Sequence, residues 1–302
     1  MADPDRLSER TRKTYRYLRV AVVGMAVLLG VSVGLEIALG TDEGILDSIS
    51  AYYYTPVRGV FVGALLAVGL GLVAIKGREG PEDVMLNLAG MLAPLVALVP
   101  TPISTAVGSF EVDRRTVPSG LVPAVENNVT ALLVLGVAGL VFAWATAAKD
   151  GPTGKAHRSG LVTGGVLLLG LMVWFGLFRQ SFLEYGHYAA AVPMFGLIVG
   201  VAVVNARLAR DAVTTRFAAA TYRKAYGAIA VGMGVTIGIA VVFFVLDTTG
   251  HRPFAAWLFW VEVILLALFA AFWAFQTAEN WREGVSDGSP WTAAGEPMRS
   301  EP

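Results

Sequence analysis

Eight apolar runs, each close to the length of a bilayer crossing, constrain this chain more than any other feature. They lie at about 18–40, 57–76, 83–100, 128–148, 160–178, 187–205, 225–246 and 254–277. A helix rises 1.5 Å per residue, so about 20 apolar residues cover the hydrocarbon core of a membrane. In lipid every backbone amide and carbonyl must find a partner inside the protein, which leaves helices and closed barrels as the spanning structures. The two-residue alternation of a barrel strand is absent, so the runs predict helices. The expected fold is all-α: a polytopic integral membrane protein with an eight-helix transmembrane bundle over 18–277. A polar N-terminal tail at 1–17 and a disordered tail at 278–302 are expected to flank it.

Composition agrees with that expectation. Hydrophobic residues make up 55% of the chain and charged residues only 15%, against about 25% charged in a soluble domain, and the mean hydropathy is +0.62. The 23 basic and 23 acidic residues cancel, so no overall field favours nucleic acid. Membrane lipids are the expected surroundings, and the sequence specifies no cofactor and no protein partner. The chain has no cysteine, which excludes disulfides, thiolate metal sites, a cysteine nucleophile and lipoprotein-style acylation. The first run exceeds the roughly 7–15 residues of a signal-peptide core, so it is expected to remain as the first span.

Orientation follows from the position of charge. If the chain crosses eight times, 18 of the lysines and arginines fall on the side that carries both ends, and five (Arg58, Arg114, Arg115, Arg179 and Arg252) fall on the other. The excess of positive charge stays inside, so both termini are expected in the cytoplasm of a bacterial plasma membrane.

Polar residues that carry chemistry gather toward the opposite, outer side: Glu36 near the end of the first span, Asp47, Ser50, Tyr53 and Arg58 before the second, His187 at the start of the sixth, and Asp247 and His251 after the seventh. Glu262 lies about eight residues, roughly 12 Å, into the last run, where an ionised carboxylate is costly; it is expected to face the bundle interior, neutral or paired. Together these residues suggest an outward-facing polar crevice. The Tyr52-Tyr53-Tyr54 run has a simple expectation, rings at the interface with hydroxyls among the headgroups. A sharper one sets Pro56 at the start of a helix whose free amides, beside Arg58, suit a phosphate or carboxylate headgroup. The Asp247/His251 pair, with His187 and Ser50, would ligate a metal only if all converged, and Gly250 favours a turn there.

Small residues four apart, at Gly30/Gly34, Gly59/Gly63, Gly160/Gly164, Gly196/Gly200 and Gly234/Gly238, are expected to let helices approach inside the bundle. Pro94 and Pro193 fall within the third and sixth runs and are expected to kink them.

The stretches SISAYYYTPVRGVFVGAL, PEDVMLNLAG and MLAPLVALVPT, within 48–101, resemble a group of multi-pass membrane proteins of high-GC bacteria, a resemblance that implies location but no activity. A much weaker similarity is to the CREST membrane hydrolases and receptors, which hold zinc with a Ser, an Asp and three His. Only Ser50, His187 and the Asp247-x-x-x-His251 segment correspond, over eight helices rather than seven, so no function is transferred. Three readings are carried forward: a solute or lipid transporter or binding protein, a metal-dependent intramembrane hydrolase, and an accessory subunit of a membrane complex.

Overall fold

The computed structural model describes residues 4–40, 44–77, 80–103, 107, 110, 116–149, 155–208, 218–251 and 254–281. Arg114, Arg115, Arg252, residues 209–217 of the basic 206–224 segment and the tail from 282 onward lie outside them. Eight α-helices form among the described residues: α1 (Pro4–Leu39), α2 (Arg58–Ala74), α3 (Pro81–Leu98), α4 (Val122–Lys149), α5 (Lys155–Leu177), α6 (Arg179–Leu208), α7 (Ala219–Thr248) and α8 (Trp257–Glu279). Seven are long and apolar enough to cross a membrane, and α2, with 17 residues, is the shorter one. The chain is an all-α polytopic bundle.

Several helices run past their apolar stretches. α1 starts at Pro4 rather than near 18, because the polar segment is made of good helix formers and no glycine or proline interrupts it before Gly24. At the other end α8 reaches Glu279, Asn280 is buried, and the Arg16 guanidinium lies over the Trp281 ring. The first residues assigned to the C-terminal tail therefore belong to the bundle. The ends of helices follow local chemistry. Gly80, at φ 114°, turns the chain into α3, with Pro81 and two acids in the first turn. Gly250, at φ 83°, closes α7, with the amides of Gly250 and His251 bonded back to the carbonyls of Asp247 and Leu246. The turn expected at Gly250 is present.

α1 packs on α2 and α8, α2 on α3, α3 on α6, α6 on α7 and α7 on α8, so six helices close a ring. α4 and α5 form a hairpin outside it, against α3 and α6. The two ends of the bundle need names: α8 begins at the upper face, and α1 begins at the lower. The ring is filled from α3 by small side chains, Ala89 and Ala93, and from the other helices by Phe182, Ile198, Met233, Phe272 and Trp273, all nearly inaccessible. Helices α3 and α6 continue through Pro94 and Pro193.

The glycine expectation needs correction. Gly30, Gly34, Gly59, Gly63, Gly196, Gly234 and Gly238 face open space, and of these ten glycines only Gly160 and Gly164 on α5 and Gly200 on α6 meet a neighbouring helix, through Val84, Met91 and Met85. Two helix backbones approach closely at Gly69 and Gly90, where a Cβ on either would come within 3 Å of the other's carbonyl oxygen. Periodicity finds stripes of small residues, but only the docked helices decide which stripe is used.

Candidate functional site

Between α1 and α2 the chain forms a short 3₁₀ helix, Ser50–Tyr54, all five of whose residues are buried. The Ser48 hydroxyl accepts from the Ala51 amide at 2.9 Å, and the Thr55 hydroxyl donates to the Tyr52 carbonyl at 2.9 Å. These local bonds tighten the turn at both ends. Backbone outside the α-helices is tolerated in lipid only where protein surrounds it, and the buried tyrosines surround this turn. Tyr52, Tyr53 and Tyr54 are 1%, 4% and 4% exposed, which overturns the expectation of interfacial rings. The Tyr54 hydroxyl donates to the Thr101 carbonyl at 2.7 Å, the Leu46 amide donates to the Tyr52 hydroxyl, and Tyr52 packs on Phe259 of α8.

The turn presents Ser50 to two helices distant in sequence. The Glu262 carboxylate of α8 meets it twice: Oε2 accepts from the Ser50 amide at 2.9 Å, and Oε1 lies 3.0 Å from the Ser50 hydroxyl. On the other side, His187 Nε2 of α6 lies 3.0 Å from the same hydroxyl, and His187 Nδ1 lies 2.7 Å from the Val99 carbonyl at the end of α3. A carbonyl only accepts, so Nδ1 carries a hydrogen. His187 is 1% exposed, Ser50 6%, and Glu262 is partly buried. One hydroxyl thus ties α6 and α8 to the 3₁₀ turn, and the chain of contacts ends on α3. Since α8 begins at Trp257, Glu262 sits about 8 Å in from the helix end, shallower than the bilayer centre.

The remaining predicted residues sit elsewhere on the upper face. Arg58 donates from Nε to the Tyr53 carbonyl at 2.8 Å and lies over the Tyr53 and Phe110 rings, so it is turned onto the tyrosine cluster. Asp47 is exposed and serves the fold through its carbonyl, which accepts from the Phe259 amide near the start of α8 at 2.9 Å. Glu36 lies in the last turn of α1. Asp247 is at the end of α7, and exposed His251 lies just beyond it beside Thr249. Among the described residues no group of three or more His, Asp or Glu side chains is arranged to hold a metal ion. Of the nine predicted residues, Ser50, His187 and Glu262 converge, and Tyr53 with Arg58 forms a neighbouring pair.

Sequence reasoning missed a second polar layer, near the lower face. The Asn280 side-chain amide donates to Gln276 Oε1 at 2.8 Å, Gln276 donates to Asn205 Oδ1 at 2.6 Å, and Asn205 donates to Glu82 Oε1 at 2.8 Å. Every amide points its donor toward Glu82. Tyr226 donates to Glu279 at 2.6 Å, and buried Arg19 is attracted by both Glu82 and Glu279. Arg19, Asn205 and Gln276 each interrupt or close an apolar run, a signal that could have been followed.

Comparison with known protein families, with curated proteins and with solved structures finds no match.

Proposed function

We propose that this multi-pass membrane protein binds or moves a small or lipidic solute without reacting on it, working from the centre built by Ser50, His187 and Glu262. The observation that carries this reading is a buried 3₁₀ turn in the connection between α1 and α2, clamped by an acid and a base from two other helices. An intramembrane carboxylate is expensive, and its position at the meeting of three elements gives it a use. The 18 to 5 division of basic residues supports a lower face toward the cytoplasm of a bacterial inner membrane and an upper face outside.

The Ser50–His187 contact of 3.0 Å favours a second reading, an intramembrane serine hydrolase. Two features argue against it. The Glu262 carboxylate competes for the hydroxyl hydrogen, and it also occupies the Ser50 amide, the donor that an acyl-transfer oxyanion would need. The test is a thermal-shift screen of purified protein in nanodiscs against small solutes and lipids. A binder at 100 times its Kd should stabilise the wild type by about 2.7 kcal/mol, and the gain should disappear in Glu262→Gln. Covalent capture of Ser50 by a fluorophosphonate probe would reverse the assignment in favour of the hydrolase.

A further inference from the structure

We propose that Glu262, Ser50 and His187 form a proton relay that holds one mobile proton between the carboxylate and the imidazole. This rests on the reading of the same three residues as the functional centre, and it names what regulates that centre.

The Ser50 hydroxyl lies 3.0 Å from Glu262 Oε1 and 3.0 Å from His187 Nε2. Each contact needs a hydrogen between its two heavy atoms, and the hydroxyl supplies one. Nothing else at the contact can supply the second except a protonated carboxyl or a hydrogen on Nε2. The geometry therefore contains one proton more than an ionised Glu262 facing an imidazole protonated only at Nδ1.

That proton has two homes. In the first, the Glu262 carboxyl donates from Oε1 to Ser50 Oγ, and the Ser50 hydroxyl donates to His187 Nε2. In the second, His187 Nε2 donates to Ser50 Oγ, and the hydroxyl donates to an ionised Oε1. Passing from one to the other breaks the Oε1–H and Oγ–H bonds and forms new Oγ–H and Nε2–H bonds. Glu262 becomes an anion, His187 a cation, and no heavy atom needs to move. The two fixed ends persist in both: the Ser50 amide on Oε2 and the Val99 carbonyl on Nδ1.

Removing the proton has a structural consequence. One hydroxyl hydrogen is then shared between a carboxylate oxygen and a bare imidazole nitrogen, so one contact becomes lone pair against lone pair. The Ser50 hydroxyl then keeps only one of its two partners: either it leaves Glu262 Oε1, with the Ser50 amide still holding Oε2, or it leaves His187. Proton occupancy thereby decides whether one hydroxyl bonds α6 and α8 at the same time at the upper face.

Among the described residues no cation and no second carboxylate is hydrogen-bonded to Glu262 or His187. The turn itself brings Tyr52, Tyr53 and Tyr54, and α2 brings Arg58, already engaged with Tyr53. α6 brings Tyr188, whose ring meets His187 and whose hydroxyl pairs with Thr101. α1 contributes Glu36 in its last turn, and α7 contributes Asp247, followed by His251. The acids of α3, Glu82 and Asp83, and the second acid of α8, Glu279, belong to the lower ends of their helices.

The experiment is a paired pH titration in nanodiscs. The chain has three histidines, so ¹⁵N-histidine labelling gives three pairs of ring-nitrogen signals, and His187→Asn identifies one pair. Infrared difference spectra follow the carboxyl, identified by its loss in Glu262→Gln. In the wild type the carboxyl and His187 should change at one common midpoint. In Ser50→Ala the two midpoints should separate by at least about one pH unit. Should Ser50→Ala not fold, His187→Asn carries the test: the midpoint of the carboxyl band should move by a similar amount. Unchanged midpoints in the folded variant, or a His187 Nε2 that bears no hydrogen bond at any pH, would overturn the relay. Solute stabilisation that persists without coupled titration would remove the relay alone; coupled titration in a protein that labels at Ser50 would remove the solute reading alone.

Discussion

The two polar layers of this bundle share three helices and differ in their chemistry. Both draw on α3, α6 and α8, through Val99, His187 and Glu262 above and through Glu82, Asn205 and Gln276 below. The lower layer is built from amides, a buried arginine and two acids. Amides do not pass a proton along and an arginine keeps its charge, so the run from Asn280 through Gln276 and Asn205 to Glu82 has one direction of donation. The upper layer is a carboxyl, a hydroxyl and an imidazole in a row, each able to exchange a hydrogen. Polarity buried in lipid does two kinds of work here: below it fixes the register of helices, and above it remains able to change state.

If this contrast holds, substitutions below should damage folding and substitutions above should damage response. The largest effect is expected for Arg19→Met, which leaves Glu82 and Glu279 without their buried counter-charge. Unfolding in detergent should show a loss of about 3–5 kcal/mol, and a loss under one would mean that the acids are already neutral. Next is Asn205→Leu, which strips partners from Glu82 and Gln276 and should cost about 2–4 kcal/mol, since each orphaned buried group costs about 1–3. The smallest stability change belongs to Glu262→Gln. A glutamine can accept from the Ser50 amide through its oxygen and donate to the hydroxyl through its nitrogen, so the cost should stay near 1 kcal/mol or less. The same variant should nevertheless abolish the pH-dependent change at His187. A large destabilisation by Glu262→Gln, with a mild Asn205→Leu, would invert the comparison.

The places where expectation and structure part share a cause. The tyrosines at 52–54 look interfacial because most tyrosines beside an apolar run are; here the chain folds them inward, and the hydroxyls of Tyr52 and Tyr54 bond to a backbone amide and a backbone carbonyl that sequence patterns do not display. The glycine stripes on α1 and α7 look like packing faces but point outward. Arg19 looks like part of a basic tail but is 2% exposed, because α1 begins at Pro4 and carries it into the bundle.

Hydropathy and the spacing of charge determined eight helices and the membrane as solvent, because each run is a local property that lipid tests independently of its neighbours. The cost of Glu262 in an apolar helix was equally visible. Which partners repay that cost was decided only by the fold: Ser50 and His187 are separated by 137 positions and Ser50 and Glu262 by 212, and the Val99 contribution is a backbone carbonyl common to every residue type. Contacts of that range depend on how α3, α6 and α8 close around the 3₁₀ turn, and no local pattern encodes the closure.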